Sequence, residues 1–158
     1  MPDTATGSLP PALAQIAAEF AELDPSQRLQ LLVEFGDEVR EVPEPYASDL
    51  ARMERVVECQ SPVYVAADVA PGSAGRTRAV VHIVAPPEAP TTRGFAGVLS
   101  EGLAELSAEE IVDVPGDLPR LLGLDTLISP LRIAGMTALL GRAQRQVRAA
   151  LSPAGQSS

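Results

Sequence analysis

Apolar residues recur along this chain at two different spacings, and the points where the spacing changes divide it into elements. Leu13, Ile16, Phe20 and Leu23 follow Pro10-Pro11 at helical intervals, which predicts a helix with proline in its first turn. A second stripe, Leu29, Leu32, Phe35 and Val39, comes after Asp24-Pro25. There Asp24 offers an N-cap oxygen and Gln27 stands where a capping-box side chain returns the bond, so the two helices make an αα-hairpin. EVPEPY at 41–46 carries two prolines that stop the helical run, and the polar connection from there to Val57 reads as a surface loop.

From Pro62 the period drops to two. Val63, Val65, Ala67 and Val69 share one face, PGSAGR at 71–76 supplies a turn, and Ala79 to Ala85 alternates again, which predicts an antiparallel strand pair. Pro86, Pro87 and Pro90 break the chain, Thr91 or Thr92 offers a cap, and Phe95, Leu99, Leu103 and Leu106 mark a further helix. Ser107 to Glu110 repeats the capping-box spelling, and Ile111 to Val114 behind it fits either an edge strand or an irregular turn. Leu118 to Leu122 fits one or two helical turns. Ser129 as cap and Pro130 at the first position open the last long helix, with Ile133, Met136, Leu140 and Val147 on one face.

The order ααββα(β)αα predicts an α+β fold in which helices pack on a small antiparallel sheet. The chain reads as a single domain over 1–158, with an ordered core at about 10–151 and fraying at Met1–Leu9 and Ser152–Ser158. Its 158 residues suit one contiguous core, which the scarcity of aromatics makes mostly aliphatic.

Charge and cysteine usage narrow the function. With 21 acidic and 12 basic residues the net charge is −9, which disfavours nucleic acid and anionic membranes as partners. No signal-like N-terminus and no apolar run of the ~18 residues a membrane span needs are present, so the expected location is cytoplasmic. The one cysteine cannot form an intramolecular disulfide or supply the thiolates of a zinc or iron–sulfur site, which fits a reducing compartment.

That cysteine, Cys59, lies in VVECQSPVY at 56–64, outside both periodic segments. A lone cysteine is ordinarily a small core hydrophobe. Here Glu58, Gln60 and Ser61 flank it and Pro62 fixes the entry to a strand, so the sequence predicts an accessible thiol at a loop-to-strand junction, where scaffolds hold working residues. Glu58 disfavours the thiolate unless it points away or pairs with Arg52, Arg55 or another base. The other candidates read as structural. His82 is a lone strand histidine, Arg142, Arg145 and Arg148 form a solvated helix face, and Glu34, Asp37, Glu38 and Glu41 lack metal-ligand spacing.

Three ordered motifs carry a family resemblance. Glu58-Cys59-Gln60-Ser61 followed by Val63-Tyr64-Val65 is similar to the G-C-Q-S signature and strand of the SufE family. RGFAGVLSEGLAEL at 93–106, continued by Ser107 to Val112, resembles that family's central helix. Leu124 to Gly135 resembles its L-x-x-x-L-[ST]-P-x-R-x-x-G element. The resemblance implies a sulfur acceptor and activator for a PLP-dependent cysteine desulfurase. Cys59 would carry sulfur as a persulfide toward an iron–sulfur scaffold, Gln60 and Ser61 would shape the presenting loop, and Arg132 would help dock the desulfurase. The chain would need no cofactor of its own and would be a monomer or weak homodimer. Because an exposed persulfide would be lost to solvent reductants, Cys59 is expected to be partly sheltered at rest, on a loop that swings out on docking. Glu58 replaces the family's glycine, and Glu88 to Thr92 replaces its acidic G-D-x-[DE] element. Two other classes remain open, a desulfurase-binding activator that carries no sulfur and a one-cysteine thiol peroxidase.

Overall fold

The structure is a computed structural model describing residues 9–72 and 75–151. The remaining terminal residues, expected to fray, and Ser73-Ala74 of the PGSAGR turn lie outside the described residues. Leu9, placed by the sequence in the fraying terminus, is buried in the core.

Helices α1 (Pro11–Ala21) and α2 (Pro25–Glu34) form the predicted hairpin. The capping box at its turn is complete. Gln27 N donates to Asp24 Oδ1 at 2.9 Å and Asp24 N to Gln27 Oε1 at 3.1 Å. Arg28 closes the end of α1 by donating to the carbonyls of Phe20 and Leu23, both at 3.0 Å. The second stripe is not all α-helix: after Glu34 the chain tightens into a 3-10 turn, Phe35–Glu38, which packs against the helix at Pro90–Gly102.

The sheet has three antiparallel strands in the order β1 (Glu54–Arg55), β2 (Tyr64–Pro71), β3 (Thr77–Val84). β2 and β3 are the expected pair, in a register that sets Val65 opposite Ile83, both buried. β1 corrects the surface-loop reading of the connection before Val57: two residues add to the edge of β2. Gln146 completes that edge where β1 runs out, accepting from Ala67 N at 2.8 Å and donating to Val65 O at 3.3 Å.

Helix α3 (Pro90–Gly102) is capped by neither threonine. Pro90 takes the first position, so the cap falls on Ala89, which makes no side-chain bond. Gly94 and Gly97 let α3 lie against the backbone of α2 and of the 3-10 turn after it: a Cβ on Gly94 would fall 2.0 Å from Leu32 O, and one on Gly97 1.7 Å from Phe35 O. Ile111 belongs to neither a strand nor an irregular turn but to a short helix, α4 (Ala108–Val112), because the Ser107–Glu110 capping box nucleates it. α5 (Leu118–Leu121) is one turn, and α6 (Pro130–Leu151) packs across β2 and α4. Buried Gln144 on α6 donates to the carbonyls of Ile111, Val112 and Val114 at 3.1, 3.3 and 2.7 Å, satisfying the end of α4. Among the described residues no helix is long and apolar enough to cross a membrane.

Candidate functional site

The loop between β1 and β2 is tied at its base by Val56 N donating to Val63 O at 2.9 Å, and tightened by Cys59 N donating to Val56 O at 3.0 Å. This turn points Val57 and Cys59 in opposite directions. Val57 is 69% exposed and Cys59 only 7%, which corrects the accessible position predicted from its polar neighbours and agrees with the shelter expected of the resting thiol. Of those neighbours Glu58 and Gln60 are exposed and Ser61 is half-buried. The thiol is buried because α6 runs beneath the turn and presents a glycine to it. A Cβ on Gly135 would stand 3.0 Å from Cys59 Sγ.

Burial pushes the Cys59 thiol above its ordinary range, the Glu58 carboxylate adds to the effect, and the Arg142 guanidinium opposes it. Arg142 is the base that pairs with Glu58, in place of Arg52 or Arg55. Its Nε and Nη2 each meet a Glu58 oxygen at 3.0 Å, and its Nη1 donates to Glu54, which also takes Arg145. Arg142 is therefore no solvated stripe residue: it ties α6 to both sides of the Cys59 loop. The Glu58 carboxyl is held below its ordinary range by its own backbone N–H and by Arg142. At Glu54 burial works against the charge, and Gln146, Arg142 and Arg145 together outweigh it.

A cavity of about 90 Å³ opens beside the sulfur. Glu58, Cys59, Gln60 and Ser61 line it from the loop and Arg132 from α6, so residues up to 74 positions apart in sequence meet in one place. The sequence reading gave no role to several participants. Gly135 sat within the third motif without one, Arg142, which pairs with Glu58 outside the cavity, lay in a stripe read as solvated, and Thr92 lines the cavity from the segment that departs from the family pattern. A helix-interior glycine was the available signal for the first; nothing local marked the others. His82 does not line this cavity. It meets Asp68 Oδ2 at 3.0 Å, and Tyr46 OH donates to Asp68 Oδ1 at 2.7 Å on the sheet face opposite Val65 and Ile83.

A helical scaffold on a three-stranded sheet, with one seated thiol at a loop tip, defines a small single-thiol protein whose class the relatives specify. The sequence model described as "SufE: Fe-S metabolism associated domain" matches residues 14–147, and the chain belongs to the SufE family. It is 45% identical over 147 residues to an uncharacterised SufE-like protein of Mycobacterium tuberculosis, covering 93% of this chain and 99% of that one. An uncharacterised SufE-like protein of a Synechocystis species is 29% identical over 132 residues, covering 83% and 77%. Among solved structures, that of a hypothetical protein from Thermus thermophilus superposes with a TM-score of 0.75 at 39% identity, covering 90% of this chain and 98% of the other. The family places the chain in iron–sulfur metabolism.

Proposed function

We propose that the chain accepts sulfur from a PLP-dependent cysteine desulfurase as a persulfide on Cys59, stimulates that enzyme by removing its product, and relays the sulfur toward an iron–sulfur scaffold. The supporting observation is the convergence of Cys59, Gln60, Ser61 and Arg132, drawn from two distant motifs, around one cavity at the only thiol in the chain. In the transfer, Cys59 Sγ as thiolate attacks the outer sulfur of the enzyme persulfide. The new S–S bond forms as the old one breaks, and the enzyme cysteine leaves as thiolate with the electron pair. No external oxidant or reductant is consumed. A lone thiol suits a carrier, since a second one would discharge the sulfur by forming a disulfide.

A buried thiol with a raised pKa is poorly set up to act alone, which speaks against the peroxidase reading. In the proposed role the loop swings out on docking, the cytoplasm is the site of action, and the chain works without a cofactor. Intact-mass measurement after incubation with a desulfurase and L-cysteine, without reductant, tests it. The expected result is one added sulfur atom, reversible by a thiol reductant and missing in Cys59→Ala. No added sulfur on a chain that nevertheless stimulates the desulfurase would favour the binding-only activator.

A further inference from the structure

Glu58 stands where the family has glycine, so a carboxylate sits directly before a thiol that has to meet another protein. At rest the charge is neutralised within the chain, because Arg142 Nε and Nη2 each hold a Glu58 oxygen at 3.0 Å. Arg142 cannot follow the loop outward. It projects from the middle of α6, its Nη1 donates to Glu54, and Glu54 is fixed in turn by Arg145 and by Gln146 Nε2 at 2.9 Å. Movement of the thiol toward a partner therefore breaks the Glu58 bonds and leaves those to Glu54 whole. The Glu58 side chain is 42% exposed against 23% for Arg142, so an approaching cation can reach the carboxylate while the loop is still closed.

Sulfur transfer requires Cys59 Sγ within bonding distance of the partner's outer sulfur, and neighbouring Cα atoms are only ~3.8 Å apart, so residue 58 arrives with the thiol. A glutamate arrives ionised at neutral pH. It then lies beside the negative charge that passes from the Cys59 thiolate to the departing enzyme thiolate, and repulsion in a contact that excludes water opposes the step unless a cation intervenes. The thiol mouth supplies too little. Freed from Arg142, its lining carries Glu58 and Glu88 against Arg132 alone. Building on the persulfide reading, we propose that Glu58 is a partner-recognition residue: the desulfurase that serves this chain presents a lysine or arginine beside its persulfide, and on docking Glu58 exchanges Arg142 for that cation. The exchange sets specificity. A desulfurase suited to glycine at this place would meet an unpaired carboxylate here and be disfavoured.

The test takes a desulfurase shown by intact mass to load wild-type Cys59, and measures the concentration of chain that half-stimulates it. That loading decides the carrier role on its own, before recognition is tested. Two variants then break the resting pair from opposite sides. Glu58→Gln removes the carboxylate, whereas Arg142→Lys keeps it, retains a cation for Glu54 and loses the planar fork that held Glu58. Both should speed alkylation of Cys59 in the isolated chain, and the melting temperature should stay near wild type in each, since the pair is partly exposed. They should part in docking. Glu58→Gln should need about tenfold or more chain than Arg142→Lys for half-stimulation at low salt, with the gap narrowing at high salt. A Glu58→Gln chain that stimulates at the same concentration as Arg142→Lys, or a lower one, would reduce Glu58 to an internal clamp and overturn the inference.

Discussion

Arg142 grips both carboxylate oxygens of Glu58, through Nε and Nη2 at 3.0 Å each, and the two residues stand 84 positions apart in the chain. Glu58 occupies the place of the family's glycine, directly before the thiol, and would otherwise leave an unpaired negative charge beside it. The pair turns that charge into a tie between the loop and α6. Glu58→Gln removes one contributor to the raised thiol pKa and weakens the tie, and both changes favour thiolate and access. Iodoacetamide should therefore modify Cys59 several-fold faster at neutral pH in the variant. Stability should fall by no more than ~1 kcal/mol, because the Glu58 side chain is 42% exposed and water screens the pair. An unchanged or slower alkylation rate would show that the pair does not govern the thiol.

The buried thiol also makes stability depend on pH in the alkaline range. Its pKa is raised in the folded chain, so the unfolded chain ionises first. Below the ordinary thiol value both states are protonated and the stabilisation is whole. As pH rises from that value through the folded one, the unfolded state gains charge and stability declines. Denaturant unfolding at increasing pH should show this decline in wild type, and a shallower decline in Cys59→Ala, whose lower overall stability is a pH-independent offset.

Two glycines inside α6 make a matched pair of probes. Glycine in a helix interior costs roughly 1 kcal/mol relative to alanine. At Gly141 a Cβ would meet nothing within 4 Å, so Gly141→Ala should recover most of that amount. At Gly135 the new methyl would press on Cys59 Sγ at 3.0 Å, with Cys59 Cα and Glu58 O at 3.5 Å. Gly135→Ala should gain little or no stability, displace the thiol from its seat, and speed its alkylation. Equal stabilisation by both substitutions, with thiol reactivity unaltered, would contradict the seat.

How far the sequence carried depended on whether the signal was local. The capping boxes at Asp24 and Ser107, the proline-opened α6 and the Val65 strand all rest on neighbours in the chain, and each appears where its spelling placed it. β1 was missed because two residues carry no periodicity; the edge of β2 recruits them. The burial of Cys59 was illegible for a related reason: its sequence neighbours are exposed, and the cover comes from α6, far along the chain. Arg142 looked solvated because its carboxylates, Glu54 and Glu58, lie on another element. Arg132 was placed at the site only through family resemblance, and the cavity is what joins it to the thiol.

Arg132 gives the most direct probe of docking. It lies in the first turn of α6, exposed, and among the described residues its guanidinium has no ion-pair or hydrogen-bond partner. Its neighbour Leu131 is 55% exposed, so a cation and an apolar side chain stand together at the mouth of the thiol cavity. On a chain of net charge −9, an unpaired cation at the working end would be attracted to a carboxylate on the partner and help set the docking register. Arg132→Glu replaces attraction with repulsion without touching the core. The concentration of chain needed to half-stimulate the desulfurase should rise about tenfold or more, most steeply at low salt, while the melting temperature and the alkylation of Cys59 in the isolated chain stay near wild type. If stimulation kept its wild-type concentration dependence at low salt, docking would have to rest on the exposed apolar side chain of Leu131 instead.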